Sequence, residues 1–190
     1  MGAQRLLILL HGISAEVKMG KLCRSARVGI DLFGWLHQAA VNHYDSLVVQ
    51  SPRDCNPIVQ EILERIRTYL ARGIHPVCVL DGRRLPGKGM TDEKRARKRL
   101  LASQAIDEAL AALTEEERDK VEAGLTEIDV DERTLKAAVA IDDELVTAVI
   151  TGLREMGAPL IKAPYEADQQ LVALDRRPAG HHPVRGDRGL

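Results

Sequence analysis

The sequence predicts an α/β fold with a central, mostly parallel sheet flanked by helices, and three observations carry that expectation. Three short apolar segments, in "RVGIDLFGW", "HPVCVLDG" and "APLIKAP", read as strands separated by helical stretches. Their order along the chain (strand, helix, strand, long insertion, helix, strand) suits parallel strands joined by crossovers. The third observation is where the acids fall. Asp31 and Asp81 end the first two strands, and Glu166 and Asp168 follow the third. Open α/β sheets bind ligands beyond the carboxyl ends of their strands. Parallel pairing would therefore bring these four carboxylates to one edge.

Each element has its own local grounds. The first strand runs to Asp31. In "DCNPIVQEILERIRTYLARG", Asn56 is placed to cap a helix and Pro57 suits its first position. Ile58, Val59, Ile62, Leu63, Ile66, Tyr69 and Leu70 make the apolar stripe, and Gly73 ends the helix. The second strand follows at once and stops at Asp81. A basic segment and an acidic helical stretch come next. Leu145, Val146, Val149, Ile150 and Leu153 then keep helical spacing up to Gly157, where the third strand begins. There is no internal repeat and no low-complexity segment.

At 190 residues the chain suits one domain, burying roughly 70% of the surface of its unfolded form. An apolar fraction of 45% and a charged fraction of 29% are those of a soluble globular protein. Aromatics make up 3%, so the core is expected to be aliphatic; Phe33, Trp35 and Tyr165 sit close to the acids in sequence. Cys23, Cys55 and Cys78 have neither paired nor metal-ligand spacing, which suits buried small residues in a reducing intracellular setting. "LLILL" at 6–10 is too short to span a membrane or form a signal core.

The net charge of −1 conceals a division. Arg83–Arg99 holds eight basic residues against Asp92 and Glu93, whereas Asp107–Glu144 holds fourteen acidic against four basic. Such a field suits a polyanionic partner on one face; two solvated helix faces would give the same count. Four converging carboxylates raise one another's pKa unless a hard divalent cation compensates them. Mg²⁺ prefers oxygen ligands and serves phosphate chemistry. Taken singly, Asp81-Gly82 reads as a turn and Glu166 as a helix-start charge; taken together, the four favour a metal site.

"VGIDLFGWLHQAA", "HPVCVLDGRRLPGKG" with the following "KRARKR", and "APYEADQQLVAL" resemble, in order and spacing, the structure-specific 5′ nucleases of the flap endonuclease and exonuclease 1 type. The opening "MGAQRLLILLHGIS" resembles that family's N-terminus, and the exonuclease 1 branch looks nearest. The resemblance runs over residues 1–174, which it implies are a nuclease domain of PIN-like fold with a helical arch inserted at about 83–138. It implies hydrolysis of DNA phosphodiesters near 5′ ends, flaps or nicks, in nuclear DNA repair, with two Mg²⁺ ions (Mn²⁺ as the alternative) and no membrane. Asp31, Asp81, Glu166 and Asp168 fall on the family's metal acids. Lys88 and Arg95 match its catalytic arch cations, which stabilise charge building on the scissile phosphate. Gly2, His37 and Arg99 fall where the family contacts DNA, His37 as a ring against the bases.

The chain departs from the family after about Leu174. A further strand and an acid-rich element are expected there, and only Asp187, within "GDRGL", stands where a metal acid belongs. "RPAGHHPVR" is ill suited to a buried strand, and its two histidines have no partner at zinc spacing. Residues 175–190 are accordingly expected to be an aberrant or truncated tail, such as a shifted reading frame would give, leaving the fold incomplete at its C-terminus. Two other readings stay open: a DNA-binding remnant without catalysis, and a small-molecule phosphohydrolase using strand-end aspartates. The long basic insertion and the missing D-x-D-G after the first strand disfavour the latter.

Overall fold

The computed structural model of the chain describes residues 26–83 and 89–175. Strands β1 (Arg27–Asp31), β2 (His75–Leu80) and β3 (Leu160–Lys162) form a parallel sheet in the order β1-β2-β3. Ile30 pairs with Cys78, and Cys78 in turn with Leu160. Pro76 lies in the central strand, an unusual place for a residue with no N–H to donate. The register explains it. His75 donates to Ala26 of the β1 side, while Cys78 donates to Pro159 on the β3 side. The even positions of β2 thus face β3, which begins only opposite Cys78, so proline at 76 forfeits no ladder bond.

Side chains of β2 alternate between two cores. Cys78 and Leu80 join Ile30 beneath helices α1 (Leu32–Asn42), α3 (Asn56–Ala71) and α7 (Asp143–Glu155); Ile58, Ile62, Ile66, Leu145, Val149 and Leu153 complete that core. The short helix α2 (Tyr44–Val48) follows α1 at its edge. Val79 points the other way, into a cluster with Ala163 and Ala167, onto which Leu171 and Leu174 of α8 (Ala167–Asp175) pack. Helices therefore cover both faces of the sheet, as its near-continuous apolar central strand requires. Each fully buried aliphatic side chain contributes about 1.5–3 kcal/mol by leaving water.

Two glycines set how closely the layers approach. A Cβ at Gly29 would lie 2.4 Å from Leu171 Cδ2, so the bare strand leaves a notch in which α8 sits. A Cβ at Gly152 would lie 2.7 Å from Leu63 Cδ1, and its absence lets α7 nest against α3.

The segment between β2 and α7 is a helical lobe. Helix α4 (Gly89–Ala111) is followed by α5 (Glu115–Glu122) and α6 (Glu132–Ala138). Ala102, Ile106 and Leu110 of α4 pack with Val121, Ile128, Leu135 and Ala138 as a separate small core, while Tyr44 and Val48 touch both this cluster and the main one. The acidic stretch is thus neither a loop nor featureless charge. It supplies helix starts: Thr114 and Glu117 form a capping box, and Asp131 and Asp142 cap α6 and α7.

The helix expected to be capped by Asn56 instead includes it. Cys55 is the cap residue and makes no side-chain cap bond; Asp54 Oδ1 accepts from the Asn56 N–H at 2.8 Å and turns the chain into the helix. The stripe is buried from Ile58 to Ile66, but Leu70, in the last turn, is 39% exposed. Cys78 is buried, which pushes its thiol up to about 11, and Cys55 is half-buried. Cys23 and residues 176–190 lie outside the described residues. No helix among the described residues is long and apolar enough to cross a membrane.

Candidate metal and nucleic-acid site

Asp31 closes β1 and starts α1 in the same residue. Its carboxylate accepts from the Gly34 N–H at 3.1 Å, capping the helix. Gly34 leaves room for this, since a Cβ there would lie 2.9 Å from Asp31 Oδ2. Burial raises the Asp31 carboxyl above its usual range, and the negative charges of Asp81 and Asp168 push it further, against the lowering effect of the Gly34 bond. Residues from all three strand ends thus share one electrostatic neighbourhood.

Asp81 follows β2 directly, and its side chain reaches across to the third strand's exit. Its Oδ1 accepts from the Ala167 N–H at 2.7 Å, at the first residue of α8. The positive end of α8 therefore meets the Asp81 carboxylate, and Asp168 stands in the helix's first turn. Glu166 immediately precedes α8 and is half-buried.

Two backbone bonds fasten the same junction. Gly82 N–H donates to Tyr165 O, and Arg83 N–H donates to Pro164 O at 3.1 Å. A Cβ at Gly82 would lie 1.9 Å from Ala163 O and 2.8 Å from Pro164 C and O, so only glycine fits. Asp81-Gly82 had the look of a turn in the sequence. Gly82 is not among the described glycines with positive φ, which are Gly73, Gly124 and Gly157. It is needed for close backbone approach, a role the D-G dipeptide alone does not distinguish from a turn.

All-oxygen donors suit a hard divalent cation, and the mutual repulsion raising Asp31 is what such a cation would relieve. In kind, the residues fit the metal. The expected convergence of four side chains is not seen as a ligand set: among the described residues no three or more His, Cys, Asp or Glu side chains form a group able to hold an ion. Two of the four engage backbone N–H groups, Asp31 that of Gly34 and Asp81 that of Ala167.

His37 lies on the exposed face of α1, one turn beyond Gly34, opposite the buried Leu32, Leu36, Ala39 and Ala40. Arg95 and Arg99 stand four residues apart on α4, hence on one side of it. Lys94, Arg95, Arg97 and Lys98 are exposed and Arg99 is half-exposed. Further along the same side, Ala102 and Ile106 are buried in the lobe. One half of α4 thus anchors the helix and the other presents its cations. Lys88, Gly2 and Asp187 lie outside the described residues.

Two cavities border other parts of the molecule. One of about 800 Å³ lies between Tyr44 and Asp45 on one side and Val121 and Ile128 of the lobe on the other. A smaller one of about 410 Å³ is lined by Trp35, Glu61, Arg65 and Tyr69, with the Arg65 guanidinium 5.4 Å from the Trp35 ring centre. Neither is lined by the strand-end acids.

Residues 1–102 match the XPG N-terminal domain family. Exonuclease 1 of Danio rerio is 27% identical over 190 residues, covering 100% of this chain and 22% of that protein. Exonuclease 1 of Arabidopsis thaliana is 30% identical over 174 residues, covering 92% of this chain and 22% of that protein. Exodeoxyribonuclease 1 of Saccharomyces cerevisiae is 29% identical over 177 residues, 93% of this chain and 23% of that protein. The chain therefore spans less than a quarter of the length of these relatives. Among solved structures, the catalytic core of Rad2 in complex with DNA substrate is similar, with a TM-score of 0.55 at 20% identity over 90% of this chain and 42% of that one. That likeness is one of fold.

Proposed function

Because this chain belongs to the XPG N-terminal domain family, we propose that it is the N-terminal part of a divalent-metal-dependent, structure-specific 5′ nuclease. Its substrate is DNA with 5′ ends, flaps or nicks, its reaction is phosphodiester hydrolysis, and its setting is DNA repair in the nucleus. The observation that carries this reading is the shared field of Asp31, Asp81 and Asp168, which come from three separate strand ends of one parallel sheet. The names of the relatives, exonuclease 1 and exodeoxyribonuclease 1, support the same class.

Asp31, Asp81, Glu166 and Asp168 would hold the metal, with Asp187 as a further candidate; Mg²⁺ is the preferred ion. When bound, such an ion supplies charge stabilisation to a phosphate and lowers the pKa of water. The chain's own side chains do the rest. Arg95, with Lys88, offers cations to a phosphate lying over the sheet edge. His37 presents a ring for sequence-tolerant stacking. Arg99 and Gly2 complete the contacts to the DNA backbone.

A second reading, DNA binding without hydrolysis, draws on the exposed cations of α4, which need no metal to attract a polyanion. One experiment separates the two. The chain is incubated with a 5′-flapped duplex in Mg²⁺ beside an Asp81→Ala variant. Metal-dependent cleavage that falls at least about a hundredfold in the variant is expected. Binding of the duplex with no cleavage by either protein would leave the second reading.

A further inference from the structure

The junction between the β2 and β3 exits is tied more heavily than capping alone requires. Ala163 N–H donates to Leu80 O at 2.8 Å, extending the parallel ladder one step past β3. Gly82 and Arg83 then donate to Tyr165 and Pro164, and Ala167 donates to the Asp81 side chain. Four hydrogen bonds thus join residues 80–83 to residues 163–167, although the 79 residues 84–162 separate them in the chain. Within this clasp lie Asp81, just after β2, and Glu166, between β3 and α8, with Asp168 one residue beyond. The feature that permits it is the missing side chain at 82, where a Cβ would stand 1.9 Å from a backbone oxygen. A flexible side chain could swing aside from such a contact; the carbonyl of Ala163, held in the ladder beside β2, cannot.

We propose that Gly82 is a positioning residue: its backbone clasp holds Asp81 against the Glu166–Asp168 segment as one rigid unit, so that the acids of two strand ends keep a fixed spacing. This rests on the nuclease reading above for its purpose, and on the hydrogen bonds alone for its existence. Any side chain at 82 pushes the two exits apart, opens the Ala167–Asp81 bond and loosens the carboxylate set. Because the metal would be held between the two exits, a shift there acts on affinity for the ion before it acts on the stability of the sheet.

The test uses the whole chain and two readouts. Mn²⁺ binding is followed by electron paramagnetic resonance, and amide hydrogen exchange by NMR. Gly82→Ala is compared with Gly152→Ala, which crowds Leu63 between α3 and α7. The expected result is Mn²⁺ affinity lowered by about tenfold or more in Gly82→Ala, as for loss of support behind metal ligands, and by less than about twofold in the control. Exchange should speed selectively at Arg83 and Ala167 while Ile30 and Cys78 stay protected. If Gly82→Ala does not fold, Ala167→Pro removes the N–H that Asp81 accepts at a helix position suited to proline, and should weaken Mn²⁺ binding in the same direction.

Equal losses of Mn²⁺ affinity in Gly82→Ala and Gly152→Ala would overturn the positioning role, and so would an unchanged affinity in Gly82→Ala. Wild-type protein that binds no Mn²⁺ would sink the nuclease reading instead. Exchange then decides the clasp: selective loss at Arg83 and Ala167 sustains it, and uniform loss or none overturns it.

Discussion

Asp142 shows how a single acid in this chain is used when it is not at the sheet edge. It caps α7 by accepting from Leu145 N–H at 3.0 Å, and its other oxygen pairs with Arg53. The Arg53 hydrogen bond, more than the cap, holds its carboxyl below the ordinary value of 3.8. A carboxylate with a depressed pKa stabilises the fold above its unfolded value, and that stabilisation is lost as pH falls through the folded value. Asp142→Ala is therefore expected to cost about 1 kcal/mol at pH 7, chiefly from the lost cap, because so exposed an ion pair adds little. In urea melts the gap between wild type and variant should close as pH drops below 3.8. At this scale the sequence was readable only in part. Asp31, Asp81, Glu166 and Asp168 could be picked out as strand-end acids, but not the N–H groups that engage the first and second of them, because those partners lie in backbone brought close only by folding.

The strands and the long helices were legible because their patterns are dense. The stripe from Ile58 to Ile66 is buried throughout, and Leu145, Val149 and Leu153 are buried as their spacing implied. Helix boundaries were less so; the start at Asn56 depends on Asp54, an Asx contact that looks like any other polar residue in sequence. Helices were expected in the lobe, but its packing was hidden for a different reason. Its core draws Ala102, Ile106 and Leu110 from α4, but only one or two residues each from α5, the α5–α6 connection and α6. Such a thin cluster should be sensitive to truncation. Ile106→Ala is expected to cost about 2–5 kcal/mol, the range for a buried aliphatic cut to alanine. Hydrogen exchange should show that loss concentrated in α4–α6, with β1 and β2 amides retaining their protection.

Across the molecule, charge is arranged by lobe and by helix half, while the total stays near neutral. Lys94, Arg95, Arg97 and Lys98 lie on the half of α4 that precedes its anchored part, and the acids that follow serve largely helix starts and i,i+4 pairs such as Glu116–Lys120 and Glu132–Lys136. The net charge of −1 therefore understates the pull on a polyanion. If these four cations meet phosphates, duplex affinity should fall with salt at a logarithmic slope of about −3 to −4. Fluorescence anisotropy between low and moderate salt measures it, and a slope near zero would exclude α4 as the contact.

The notch at Gly29 links the two ends of this arrangement. Leu171 fills it, and Asp168 stands three residues before Leu171 on the same side of α8. Sequence neighbours are therefore a poor guide to what a change at 29 would disturb. A methyl group added there lies two positions from Asp31, yet what it meets is the Leu171 side chain, on the helix bearing Asp168. Mutational scans of this chain should find the intolerance of position 29 following that of 168 and 171, as a linkage in space that no window along the sequence contains.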